Sequence, residues 1–200
     1  MKNQTQTQKQ EPLRPGQKNG AKYYTQRLTI IGLFSAIAVI LVYLFHIPIF
    51  PMVAFLEYDM ADVPIILITF LYGPGAGLLT TVVVAVVQGL TVSASSGWIG
   101  ILMHIFATGC YVLVVGNIYK HWKTLSGEIV SLAAGVLTWI GTMFLWNIAL
   151  TPIFMGVPRA EVLKLMPFII LFNVIKSVVN SLLAYFVFKV MQQIMKKAKI

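Results

Sequence analysis

From residue 28 onward the chain alternates long apolar runs with short breaks that carry Gly, Pro or charge. The runs cover residues 28–44, 63–72, 76–92, 98–119, 129–154 and 167–190. None has the polar stripe of a soluble helix, so each reads as a membrane helix. The predicted fold is all-α, a bundle of six transmembrane helices. The second run is short: its 10 residues span about 15 Å, half of a hydrocarbon core of about 30 Å.

The segment before that short run is too apolar for a solvated loop, holding Ile47, Ile49, Phe50, Met52, Val53, Phe55 and Leu56. Pro48, Pro51 and Pro64 deny it a continuous helix. Irregular backbone at membrane depth is tolerated only where protein or a polar cavity covers it. The segment is therefore expected to fold back over the outer end of the bundle as a re-entrant lid, the competing reading being an interfacial loop. Asp62, ahead of Val63-Pro64, is expected to cap the short helix. Gly73, Gly75 and Gly77 around Pro74 are expected to form the turn that follows it.

Residues 1–27 differ from the rest, with six Gln and six basic residues against one Glu. Such a segment buries too little apolar area to offset its ordering entropy, and reads as a disordered cytoplasmic tail. Residues 28–200 then form the membrane domain. The first apolar run exceeds the h-region of a cleaved signal peptide, typically about 7–15 residues.

Composition strengthens this picture. The chain is 58% hydrophobic and only 10% charged, with a mean hydropathy of +0.83, whereas soluble domains carry about 25% charged residues. Too few charges remain to cover a soluble surface. A single cysteine, Cys110, excludes an intramolecular disulfide. The net charge of +9 is explained by topology: with both termini cytoplasmic, twelve of the fifteen basic residues gather on that side. Nucleic acid is not required as a partner.

Several residues are not explained by the membrane. Lys176 lies inside the sixth run, with Asn173 three residues before it and Asn180 four after, all on one helical face. A lysine within a span costs about 2.5–3.5 kcal/mol on insertion scales, so it faces a cavity or a partner unless it snorkels to the headgroups. Asn147 in the fifth run and Gln88 in the third need hydrogen-bond partners that lipid does not offer. Each reads either as a ligand contact or as an interhelical bond. His104 reads as a packed, hydrogen-bonded histidine. Glu57 and Asp59 are either a solvated loop or, for Glu57 in an apolar lid, a polar contact facing Lys176. Leu56 is placed beside it. Together these residues outline an outward-open, largely apolar pocket with a few amides and one ion of each sign, suited to a flat, neutral, hydrogen-bonding solute. Gly32 and Ala36, four apart in the first run, would let another helix approach closely.

No G-x-x-x-x-G-K-[ST], H-E-x-x-H or G-x-S-x-G sequence occurs, and no internal repeat is evident. The expected activity is binding rather than catalysis, with no metal site and with transport energy supplied by partners. A small membrane enzyme acting on a lipid or isoprenoid head group through Glu57, Asp59 and Asp62 is the alternative from another class.

Taken together, Phe55-Leu56-Glu57-Tyr58-Asp59-Met60-Ala61-Asp62-Val63-Pro64, the Leu71-Tyr72-Gly73-Pro74 turn, Trp146-Asn147 before Thr151-Pro152, and Phe172-Asn173-x-x-Lys176 resemble the substrate-capture (S) components of energy-coupling-factor (ECF) vitamin transporters. Within that family the lid sequence and the Asn-x-x-Lys favour the riboflavin branch over S components for other vitamins. The resemblance implies that Glu57, Asn147, Asn173 and Lys176 contact riboflavin, which is cargo and not a resident cofactor, and that the first loop gates the site. It further implies docking through Gly32-x-x-x-Ala36, where Gly replaces the family's first Ala, onto a transmembrane coupling (T) subunit that carries two ATPases. The implied location is the bacterial plasma membrane.

Overall fold

The computed structural model describes the backbone of residues 15–197 and the side chains of residues 22–197. Among these residues six α-helices form, one on each predicted apolar run: α1 (Pro15–Leu44), α2 (Asp62–Tyr72), α3 (Pro74–Leu90), α4 (Gly97–His121), α5 (Leu125–Met155) and α6 (Arg159–Lys197). Two-residue strands β1 (Ile47–Pro48) and β2 (Glu57–Tyr58) pair antiparallel between α1 and α2. Four helices, α1, α4, α5 and α6, are long and apolar enough to cross a membrane. The other two are shorter, 11 residues in α2 and 17 in α3.

The short α2 lies at the centre. It contacts α1, α3, α4 and α6, and every residue from Asp62 to Phe70 is buried. A helix that is hydrophobic all round belongs inside a protein core, which explains an apolar run too short to span. Around it α4 packs against both α3 and α5, and α5 packs against α6. The 45–61 segment rests on α6 through a cluster of its own, in which Val53, Leu56 and Tyr58 meet Val162, Met166, Ile169 and Phe172. Phe50 faces Phe168 at 6.3 Å and Phe55 faces Phe154 at 5.7 Å between ring centroids.

Three boundaries differ from expectation. The predicted tail, residues 1–27, lies outside the described residues over 1–14, while residues 15–27 are helical and extend α1. Gln, Lys, Ala and Arg are good helix formers, and propagation from an already formed apolar helix avoids the cost of nucleation. The sixth helix begins at Arg159 and runs through Pro167. Its first two turns bury only Val162 and Met166, and expose the Glu161–Lys164 pair, so a search for apolar runs passes over them. Asp62 is the first residue of α2 and not its cap, which is Ala61. Its carboxylate is turned inward instead, as described below.

The α2–α3 turn depends on two glycines. Gly73 adopts φ +85°, a conformation open to glycine, and its N–H donates to the Thr69 carbonyl at 2.8 Å. Gly77 lets the helices touch: a Cβ there would sit 2.0 Å from Thr69 Oγ1 and 3.3 Å from Val112 Cβ. Overpacking of this kind costs about 1–3 kcal/mol. Gly77→Ala is therefore expected to lower the melting temperature of the purified protein, and an unchanged melt would show that α3 can shift freely.

Candidate functional site

Asp59 and Asp62 bracket the start of α2, and both carboxylates point into the bundle, 1% and 3% exposed. Asp59 Oδ1 accepts the Ala61 N–H at 3.0 Å, which fixes the turn into the helix. Its Oδ2 accepts from Lys176 Nζ at 2.9 Å and from Gln88 Nε2 at 3.3 Å. Asp62 accepts from Thr108 Oγ1 at 2.9 Å and from Asn180 Nδ2 at 3.2 Å, and its position in the first turn of α2 adds the favourable end of the helix dipole. Two buried acids are thus held by one cation and by neutral donors from three helices.

Lys176, 9% exposed, does not reach for headgroups. Its ammonium pairs with Asp59 and lies 6.0 Å from the centre of the Trp139 ring. Trp139 Nε1 in turn donates to Asn173 Oδ1 at 3.0 Å, and Asn173 Nδ2 donates to the Ile169 carbonyl at 2.8 Å. Asn173, Lys176 and Asn180 share one buried face of α6, as their spacing predicts.

Asp59, Gln88, Trp139, Asn173 and Lys176 border a cavity of about 130 Å³ lined by residues of α3, α4, α5, α6 and the 45–61 segment. Leu56, Glu57, Gln88, Asn173 and Lys176, all named from sequence, line it, together with Phe55, Asp59, His104, Trp139 and Phe172. Two predicted site residues are not on its wall. Asn147, fully buried, spends its amide within α5: Nδ2 donates to the Met143 carbonyl and Oδ1 accepts from Thr151 Oγ1, both at 2.8 Å. Asn180 is used in holding the 45–61 segment: Nδ2 reaches the Asp59 carbonyl at 3.0 Å as well as Asp62, and Oδ1 accepts from the Tyr58 hydroxyl at 3.0 Å. Burial raises the Tyr58 phenol above its ordinary pKa, an effect that nearby Lys176 opposes. The hydroxyl therefore stays protonated and able to donate.

The acid facing Lys176 is Asp59 and not Glu57. Glu57 pairs instead with His46 across the β1–β2 ribbon. Neighbours in an extended segment point to opposite sides, and residues two apart to the same side only while the strand continues. The strand ends at Tyr58 and the chain turns, which sends Asp59 inward. His104 also departs from the reading as a hydrogen-bonded histidine: its Nε2 is buried without a hydrogen bond, 3.7 Å from Asp62 Oδ1. Trp139 was not anticipated. Its signal was available, since tryptophan favours the membrane interface and this one lies in mid-helix.

On α1, Gly32 and Ala36 are exposed beside Leu33 and Ile37. A Cβ at Gly32 would meet nothing within 4 Å. Among the described residues no group of three or more His, Cys, Asp or Glu is placed to hold a metal ion.

The family model of the ECF transporter substrate-specific component matches residues 26–191, most of the chain. The chain belongs to this family. As an ECF substrate-specific component it is a transporter subunit and not an enzyme, which removes the membrane-enzyme reading of Asp59 and Asp62. The chain is 27% identical over 180 residues to the riboflavin transporter RibU of Staphylococcus aureus, covering 86% of this chain and 93% of that protein. It is 26% identical over 126 residues to the riboflavin transporter FmnP of Bacillus subtilis, covering 62% of this chain and 66% of that protein. A solved structure described as the S component of a bacterial ECF transporter superposes with a TM-score of 0.74 at 27% identity, over 86% of this chain and 99% of the other.

Proposed function

We propose that this substrate-specific component captures riboflavin in the cavity beside Lys176 and hands it to an energizing module for ATP-driven import. The observation that carries the reading is a lysine kept deep in α6 by Asp59, with Asn173 and Trp139 alongside, on the wall of a cavity. A flavin offers ring carbonyls and ribityl hydroxyls for Lys176, Asn173 and Glu57, and a flat apolar ring for Trp139, Phe172 and Leu56. The cavity of about 130 Å³ is smaller than the roughly 300–1,000 Å³ of small-molecule sites. Phe55, Leu56, Glu57 and Asp59 on its wall all come from the 45–61 segment, so moving that segment admits the ligand. In this reading it is a lid.

Positive charge assigns both termini to the cytoplasm of a bacterial plasma membrane, and the lid then faces outward. Gly32 and Ala36 are the docking contacts for a T subunit that carries two ATPases. The full chain in detergent should bind riboflavin saturably, quenching its fluorescence, with one site per chain. Riboflavin at a hundred times its Kd should add about 2.7 kcal/mol of stability, read as a higher melting temperature. No quenching and no thermal shift at any riboflavin concentration would end the flavin reading, and a shift with another vitamin alone would reassign the cargo.

A further inference from the structure

Tyr24, Arg27, Leu28 and Ile31 recur along α1 at three- and four-residue spacing and so share one face. With Gly75 and Leu79 of α3 they line a groove of about 230 Å³, remote in its lining from the cavity beside Lys176. Arg27 is half-buried, and its guanidinium reaches across to α3, 4.0 Å from where a Cβ on Gly75 would stand. Among the described residues it makes no hydrogen bond and no ion pair. The described acids are all engaged elsewhere: Glu57 with His46, Asp59 with Lys176, Glu128 with Lys189, Glu161 with Lys164, and Asp62 with Thr108 and Asn180. The groove therefore holds a cation that these acids do not neutralise.

The groove changes character along its length. Arg27 stands immediately before the first apolar run, beside Tyr23 and Tyr24, and tyrosines of this kind mark headgroup depth. Further along the two helices Leu28, Ile31 and Leu79 make the wall apolar, and Leu28 and Leu79 are exposed. A guanidinium fork followed by an apolar trough is complementary to a phosphate followed by an acyl chain. We propose that this groove seats one anionic phospholipid of the leaflet facing the N-terminus, with its phosphate on Arg27 and an acyl chain along Leu28, Ile31 and Leu79. Basic pockets between membrane helices hold anionic headgroups in this way. A soluble phosphate would leave the apolar wall uncovered. A neighbouring helix fits less well, because close packing in lipid uses small residues such as Gly32 and Ala36, whereas this face presents Tyr24 and Leu28. The lipid seat does not depend on what the cavity beside Lys176 binds.

The test is native mass spectrometry of the full chain released from detergent micelles that hold equal amounts of phosphatidylglycerol and phosphatidylcholine with matched acyl chains. The wild type is expected to retain one phosphatidylglycerol, favoured over phosphatidylcholine by at least about fivefold, the scale of one cation against an anionic headgroup. Arg27→Gln should erase that preference. Lys22→Gln removes an exposed lysine that does not line the groove, and should keep it. Leu79→Trp fills the trough from α3 and should lower retention of both lipids, which keeps the test decisive if Arg27→Gln fails to fold. No preference in the wild type, or full preference in Arg27→Gln, would overturn the lipid seat. An equal loss in Lys22→Gln would also overturn it, by assigning the effect to diffuse surface charge, as would undiminished retention in Leu79→Trp. Lipid preference kept by Arg27→Gln while co-purification with the energizing module is lost would make the groove a protein contact instead.

Discussion

Lys176→Met is expected to weaken riboflavin binding about 10- to 100-fold, the range of a hydrogen bond made by a charged group, and to lower the melting temperature as well. The two effects have different causes, and a second substitution separates them. Asp59 is 1% exposed, and its Oδ2 is held by Lys176 and Gln88. Removing the cation strands a buried carboxylate, which typically costs about 3–5 kcal/mol. Neutralising the acid too, in Asp59→Asn with Lys176→Met, removes that penalty and should return the melt to near its original value. Riboflavin affinity should stay low, because the ammonium proposed to contact the ligand is still missing. Parallel thermal melts and titrations on the single and double variants measure both. Recovery of binding together with stability would mean that Lys176 acts only by seating the 45–61 segment. Unchanged affinity in Lys176→Met would remove the lysine from the site altogether.

The pairing on which this prediction rests was half legible in the sequence. The spacing of Asn173, Lys176 and Asn180 places them on one face of a helix, because a helix converts sequence spacing directly into direction, and the structure buries all three. The loop has no such rule. Whether Glu57 or Asp59 meets the lysine depends on where a two-residue strand ends and the chain turns, which no periodicity encodes. Asn147 and Asn180 show a related gap. A buried amide announces that it needs partners, but not whether they are ligand atoms, a hydroxyl one turn away such as Thr151, or the backbone of a covering segment such as Asp59. The apolar runs located all six helices, since lipid and core demand the same residues, and the same fact hid the early turns of α6 and the start of α1, where the helix continues in polar sequence.

Ala36→Trp should leave riboflavin binding unchanged and cut uptake by at least about tenfold, equivalent to about 1.4 kcal/mol of lost docking. Along α1, Ile31, Ser35, Ala38 and Val42 are buried against the bundle, while Gly32, Leu33, Ala36 and Ile37 face away from it. Small residues four apart leave a shallow furrow into which a neighbouring helix can settle closely, and in lipid that close packing supplies much of the association energy. An indole at Ala36 fills the furrow from outside. It meets none of the groups that line the cavity, so the ligand site has no reason to respond. The proposed coupling subunit loses its seat. Two measurements on the same variant decide the matter: a riboflavin titration of the isolated chain, and co-purification with the energizing module alongside cellular uptake. Full uptake with a tryptophan in the furrow would place the docking face elsewhere on the bundle. Lost riboflavin binding with intact assembly would mean that the outward face of α1 is coupled to the cavity through Ser35 and Ala38 on its inner side.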